Sequence, residues 1–318
     1  MKITVHIGST KTGSSALQMH LYKAREKLED AGVCYPEFGV KSNAHHVLFA
    51  SARPGAWGMH RDVLSESEDK RFEYFVTTFS TILDYAERKN IGHIVLSSEY
   101  WWSILPLRFH DFLREQFVHH ETRLVACVRR QDRWLEASYL QDVKSGEDKN
   151  FDTWLAHRIG DHSMGGANYL KILNHWTETL LPRETIVVPY EFTDRTAYIR
   201  NVVTRVCDAE VGELAVPDIA NVVNKSPNKE GVEAIISINK STDSAVNRRE
   251  KVGEILSSFS RPENTNMAAL LSVGQQKALY NKFENINRLV VELYCTKNMD
   301  SLFDTSDLAG VSSDTLSA

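Results

Sequence analysis

A lysine set among small, hydroxyl-bearing residues falls where a short strand gives way to a helix, in His6-Ile7-Gly8-Ser9-Thr10-Lys11-Thr12-Gly13-Ser14-Ser15. Small side chains let the backbone curl so that successive N–H groups point inward at an anion. The helix start adds free N–H groups and the positive end of its dipole. Lys11 supplies a point charge, and the hydroxyls of Thr12, Ser14 and Ser15 can donate further hydrogen bonds. The chemistry of such a loop is to hold a phosphate or a sulfate. It is not a Walker A loop, because Lys11 precedes Gly13 and serines follow it, whereas GxxxxGK[ST] puts the lysine directly after the second glycine. Taken alone, the segment also reads as a turn rich in small residues with a solvated lysine.

A second basic segment lies downstream, where the apolar run Leu124–Val128 leads into Arg129-Arg130-Gln131-Asp132-Arg133 and then a helix. Arg130 ends the strand and Ser138 lies eight positions on, within the helix. If the chain turns back between them, guanidinium and hydroxyl converge on one phosphate. Arg129 takes the place of Arg130 if the strand ends one residue earlier. The competing reading is a solvated helix start with surface ion pairs, although three arginines at that end oppose the helix dipole.

The elements that must position these residues follow from hydrophobic spacing. Short apolar or β-prone runs at 3–7, 33–35, 91–97, 123–128 and 185–188 read as strands. Helical spacing follows at 17–28, 67–89, 107–118, 131–145, 169–181, 194–206, 229–240 and 275–297. Strands alternating with helices predict an α/β, P-loop-type three-layer fold with a mainly parallel sheet flanked by helices. Residues 1–303 are expected as one domain and 304–318, rich in Ser, Asp and Thr, as a flexible tail.

Composition limits the partners. The 318 residues are 42% hydrophobic and 25% charged, as in globular proteins. A net charge of −5 argues against a general nucleic-acid coat, so no nucleic-acid partner is expected. The four cysteines, Cys34, Cys127, Cys207 and Cys295, lie far apart and read as reduced thiols. No transmembrane segment is expected, and the apolar run after Met1 is too short for a signal peptide, so a cytoplasmic protein is expected.

Lys11-Thr12-Gly13-Ser14-Ser15 resembles the 5′-phosphosulfate-binding loop of sulfotransferases, Lys-[Ser/Thr]-Gly-Thr-Thr, with serines replacing both threonines. Bacterial members read His-Ile-Gly-x-x-Lys-Thr-Gly-Thr-Thr-x-Leu-Gln, and His6 to Gln18 are similar throughout. Arg130 and Ser138 have the spacing of the family's 3′-phosphate motif. Similarity continues through Tyr169–Glu178, Ile186–Phe192 and Phe283–Tyr294, mainly as packing patterns. The resemblance implies 3′-phosphoadenosine-5′-phosphosulfate (PAPS) as donor, 3′,5′-bisphosphoadenosine (PAP) as product and no metal. It also implies a carbohydrate or glycolipid acceptor.

Such a reaction needs a base for the acceptor hydroxyl. Glu99, in Leu96-Ser97-Ser98-Glu99, ends a buried strand, and carbohydrate sulfotransferases can use a glutamate so placed. An ordinary ion pair fits Glu99 equally well, and His45 or His46 is the rival base. Trp57, Trp101 and Trp102 offer ring faces for a sugar. Asn224-Lys225-Ser226, ahead of a helix, is placed to close over the nucleotide. The expected function is PAPS-dependent sulfotransfer. The alternatives are a nucleotide-dependent phosphotransferase on a related fold and a non-catalytic PAP- or nucleotide-binding protein.

Overall fold

A computed structural model describes residues 1–53, 56–160, 166–190, 194–208, 227–241, 245–259, 270–295 and 299–312. Five strands, β1 (Lys2–Gly8), β2 (Val33–Cys34), β3 (His93–Ser97), β4 (Glu121–Val128) and β5 (Glu184–Pro189), form one sheet in the order β2-β3-β1-β4-β5. Every pairing is parallel, so the expected mainly parallel sheet is wholly so. Parallel neighbours need long crossovers, and helices supply them. They are α1 (Ser14–Lys23), α2 (Arg25–Asp30), α3 (His46–Ala52), α4 (Glu68–Arg88), α5 (Leu107–Phe117), α6 (Gln131–Ser145), α7 (Phe151–Gly160), α8 (Tyr169–Leu180), α9 (Arg195–Cys207), α10 (Lys229–Lys240), α11 (Ala245–Ser258) and α12 (Val273–Tyr294). None of the described helices is long and apolar enough to cross a membrane.

Alternation along the strands divides the core into two layers. Ile3, Val5, Ile94, Leu96, Leu124 and Ala126 face α4, α5 and α8, while Val95, Val125 and Cys127 face α1 and α9. A third apolar cluster joins α6, α7, α10 and α11 beside the sheet. The stretch expected as one helix over 17–28 breaks at Ala24, where the Arg25 guanidinium donates to the Tyr22 carbonyl and closes α1 (2.9 Å). Residues 304–312, expected as part of a loose tail, are held in place. Leu308 is buried, and the Asp304 and Asp307 side of the segment clasps Arg130. Residues 313–318 lie outside the described residues.

β1 lies between β3 and β4, so its polar face is buried with its apolar one. Thr4 Oγ1 hydrogen-bonds His93 Nε2 (2.8 Å), and His6 Nδ1 hydrogen-bonds Ser97 Oγ (2.8 Å). His6 Nε2 meets Cys127 Sγ at 3.4 Å, and Gln18 Nε2 donates to Ser97 Oγ at 3.2 Å. These pairs satisfy groups that would otherwise each cost about 1–3 kcal/mol.

Burial pushes His6 and His45 down to about 4, against an ordinary 6.5. Between those values the unfolded chain binds more protons than the folded one. Stability is therefore full above pH 6.5 and falls as the pH drops towards 4. Each fully buried ring contributes a slope of up to about 1.4 kcal/mol per pH unit in that window. Urea denaturation at pH 7, 6 and 5 is expected to show a progressive loss, and His6→Gln a shallower one. A flat profile from 7 to 5 overturns the assignment of neutral rings.

Candidate anion-binding and catalytic site

The Ser9–Gly13 loop leaves the carboxyl end of β1, with the ends of β3 and β4 on either side. Its shape is set by two glycines for different reasons. A Cβ on Gly8 would stand 2.7 Å from Ser14 Oγ, so close approach excludes a side chain there. Gly13 has φ 77°, the left-handed region that glycine occupies without strain. Lys11 takes φ 67° as well, at a cost on the order of 1–3 kcal/mol for a residue with a Cβ. The Arg129 guanidinium helps to hold it there by donating to the Lys11 carbonyl (3.0 Å).

The backbone N–H groups from Thr10 to Ser15 meet no acceptor among the described residues. No side chain caps α1, and its first turn contains no acidic residue. Thr12 Oγ1 donates to the Ser9 carbonyl (2.7 Å) and lies 3.2 Å from Ser14 Oγ, so these hydroxyls brace the loop. Ser15 is exposed. Lys11 Nζ donates to Gln141 Oε1 (2.8 Å). Burial pushes its ammonium below the ordinary value, while the Glu99 charge works in the opposite direction.

Helix α6 closes the other side. Trp134 Nε1 donates to Thr10 Oγ1 (3.2 Å), and Gln141 accepts from Lys11. Trp134, Ser138 and Gln141 follow one another at helical spacing, so Ser138 lies between two residues that touch the loop. Its Oγ is buried and has no hydrogen-bond partner. Sequence reasoning missed Trp134 and Gln141 as loop contacts, although the spacing from Ser138 points to both.

Arg130 requires a correction. All five of its N–H donors are taken: two bonds to Asp132 (2.8 and 2.9 Å), two to Asp307 (2.6 and 2.8 Å) and one to the Asp304 carbonyl (2.9 Å). Burial alone would lower its pKa, but the hydrogen bonds to Asp307 and Asp132 outweigh burial and raise it. Arg130 is a structural clasp with no donor left for a phosphate. β4 ends at Val128, so Arg129 is the first residue past the strand. Apart from its bond to Lys11, the Arg129 side chain makes no hydrogen bond among the described residues. It lies 5.4 Å from the Tyr190 ring, and burial pushes its pKa down.

Glu99 opens the short turn after β3. Burial raises its carboxyl above the ordinary value, and the Lys11 and Arg53 charges oppose that rise. The structure thus brings Glu99 and Lys11 into one electrostatic neighbourhood. No hydrogen bond reaches the Glu99 carboxylate among the described residues. His45 does not serve as a base here. Its Nδ1 accepts from the Ser97 N–H (3.1 Å), its Nε2 contacts the Pro36 carbonyl (2.9 Å), and the ring is fully buried. His46 is partly buried, with Nδ1 on Ser98 Oγ (2.9 Å) and its ring stacked on Tyr100 at 4.5 Å; burial first, then His60, pushes it down to about 4. Arg53, which no sequence motif marks, reaches the same place from the end of α3.

Trp101 and Trp102 are not sugar platforms. Trp101 stacks on Trp176 within the core (4.4 Å), and Trp102 is buried with its Nε1 donating to the Gly166 carbonyl (2.8 Å). Asn224-Lys225-Ser226 and the Trp57 side chain lie outside the described residues. Two open surface hollows lie at the amino end of β5, around Arg183 and Glu184, away from the Lys11 loop. No protein-family model, no curated protein and no solved structure matches this chain.

Proposed function

We propose that the protein is a PAPS-dependent sulfotransferase acting on a hydroxyl of a carbohydrate or glycolipid. One observation carries this reading. Unpaired N–H groups from Thr10 to Ser15, the Lys11 ammonium, the spare donors of Arg129 and the orphaned Ser138 hydroxyl all belong to one loop and the two segments packed on it. That donor set fits a ligand with two anionic groups. The loop and Lys11 take the 5′-phosphosulfate, and Arg129 with Ser138 takes the 3′-phosphate, displacing Arg130 from the role that sequence spacing gave it.

PAPS supplies a sulfuryl group already activated for transfer. Glu99 accepts the proton of the acceptor hydroxyl as its oxygen bonds to sulfur, and the bond from sulfur to the bridging oxygen breaks, leaving PAP. Lys11 stabilises the charge that develops on that bridging oxygen. The Glu99 and Lys11 charges act on each other, which supports this division of labour, since base and electrophilic stabiliser must flank the same reacting atoms.

The nucleotide is tested by thermal melts with PAP, ATP and GTP. PAP at a hundred times its dissociation constant is expected to add about 2.7 kcal/mol of stability, and ATP and GTP much less. A response to ATP with none to PAP favours a phosphotransferase instead. PAP binding without sulfate transfer to any glycan in a broad panel favours a binding protein that lacks the chemistry.

A further inference from the structure

Beside Glu99, the side chain of Arg53 has no hydrogen bond and no ion pair among the described residues. Arg130, by contrast, uses all five donors, and Arg25, Arg108, Arg123, Arg133 and Arg158 each lie against a carboxylate. Arg53 is partly buried, and its one described side-chain contact with a ring is Tyr100, 5.7 Å from the guanidinium carbon. Burying that charge is costly, and Glu99 offsets the cost through space, without a hydrogen bond. An anion from outside the chain removes that cost.

The surroundings narrow the choice of anion. One face of Tyr100 is already covered by the stacked His46 ring at 4.5 Å. His60 meets Tyr100 edge-on at 5.8 Å, is only 4% exposed, and neither of its ring nitrogens has a hydrogen-bond partner. The region therefore offers unpaired polar donors around an aromatic wall. Lys11 and Arg129 are committed to the nucleotide in the reading above, which leaves Arg53 for the acceptor.

We infer that the acceptor is itself an acid, with Arg53 holding a carboxylate on it beside Tyr100 while its hydroxyl faces Glu99. The inference rests on the sulfotransferase reading for the role of Glu99, but not for the capture of the carboxylate. A planar guanidinium matches a carboxylate in two parallel hydrogen bonds. Arg53 also offsets the repulsion between the acceptor's carboxylate and Glu99, because its charge already acts on Glu99.

The test uses methyl β-D-glucuronide and methyl β-D-glucoside, which differ by the carboxylate, titrated calorimetrically into the full chain with and without PAP. The glucuronide is expected to bind at least about tenfold more tightly, as a charge-assisted hydrogen bond implies. Arg53→Gln should erase that preference with PAP affinity unchanged and the melting temperature unchanged or raised, and Arg53→Lys should restore part of it. Equal affinities, no glucuronide binding, or a preference that survives Arg53→Gln each overturn the inference. PAP binding in the same samples keeps the two claims separate. PAP bound without an acid preference sinks the inference alone, while an Arg53-dependent preference without PAP binding sinks the nucleotide reading alone.

Discussion

Glu99→Gln is expected to fold normally, bind PAP as the parent does and lose about 10²–10⁴ in transfer rate, the usual cost of removing a general base. Glutamine keeps the shape and hydrogen-bonding capacity of the side chain but takes up no proton. Burial raises the Glu99 carboxyl above its ordinary value, with Lys11 and Arg53 holding it back. As the base, it works when ionised, so the parent rate rises with pH through its pKa, and that limb should disappear in the variant. The pH profile alone does not separate it from His46, because burial has already pushed that imidazole down to about 4. The comparison that decides is Glu99→Gln against His46→Gln, assayed with one acceptor. Near-parental turnover in the glutamate variant, with turnover lost in the histidine variant, moves the base to His46.

Arg129→Ala and Arg130→Ala are expected to fail in different ways. Removing Arg129 takes away a cation with spare donors beside the loop, and PAP affinity should fall by about 2–4 kcal/mol, roughly 30- to 1000-fold. Removing Arg130 leaves Asp132, whose side chain is fully buried, without its counter-charge. Breaking such a pair costs about 3–5 kcal/mol of folding stability. Calorimetric PAP titrations and urea unfolding on both variants therefore give crossed results: weak binding with a small loss of stability for Arg129→Ala, whose bond to the Lys11 carbonyl goes, and normal binding with a large loss for Arg130→Ala. If Arg130→Ala abolishes PAP binding while the unfolding midpoint stays put, Arg130 is a ligand contact and Asp307 a side chain that the nucleotide displaces. Acid should loosen the clasp as well. The hydrogen bonds from Arg130 hold Asp307 below the ordinary 3.8, so its share of the stability is present above that value and lost as the pH falls through the folded one.

The strands were legible because each is a short apolar run, and the loop because glycine, lysine and hydroxyls rarely collect by chance between a strand and a helix. The alternation Ile3-Thr4-Val5-His6-Ile7 puts Thr4 and His6 on one face of a strand, without naming what those polar groups would pair with. The structure buries that face, since His93, Ser97 and Cys127 arrive from β3 and β4 to pair with it. No window of sequence contains those partners. Arg129 and Arg130 illustrate the same limit: spacing from Ser138 favoured Arg130, but the outcome turns on Asp307, far along the chain, and on β4 ending at Val128. Arg53 carried no local signal at all. It enters the site only because α3 packs against the turn that holds Tyr100.

The central place of β1 also sets a timetable for synthesis. Ile3 is opposite Ile94 on one side and Thr122 on the other. At about 5–20 residues per second, the ribosome needs roughly 5–20 s to deliver the first partner strand after the first strand emerges, and longer for the second. For that interval Ile3, Val5 and Ile7 are an unpaired β-prone segment, the kind of sequence that nucleates aggregation. A nascent chain halted before residue 128 can never enclose that segment on both edges. Chains stalled there should depend on a chaperone that shields apolar strands, whereas chains released after β4 should not.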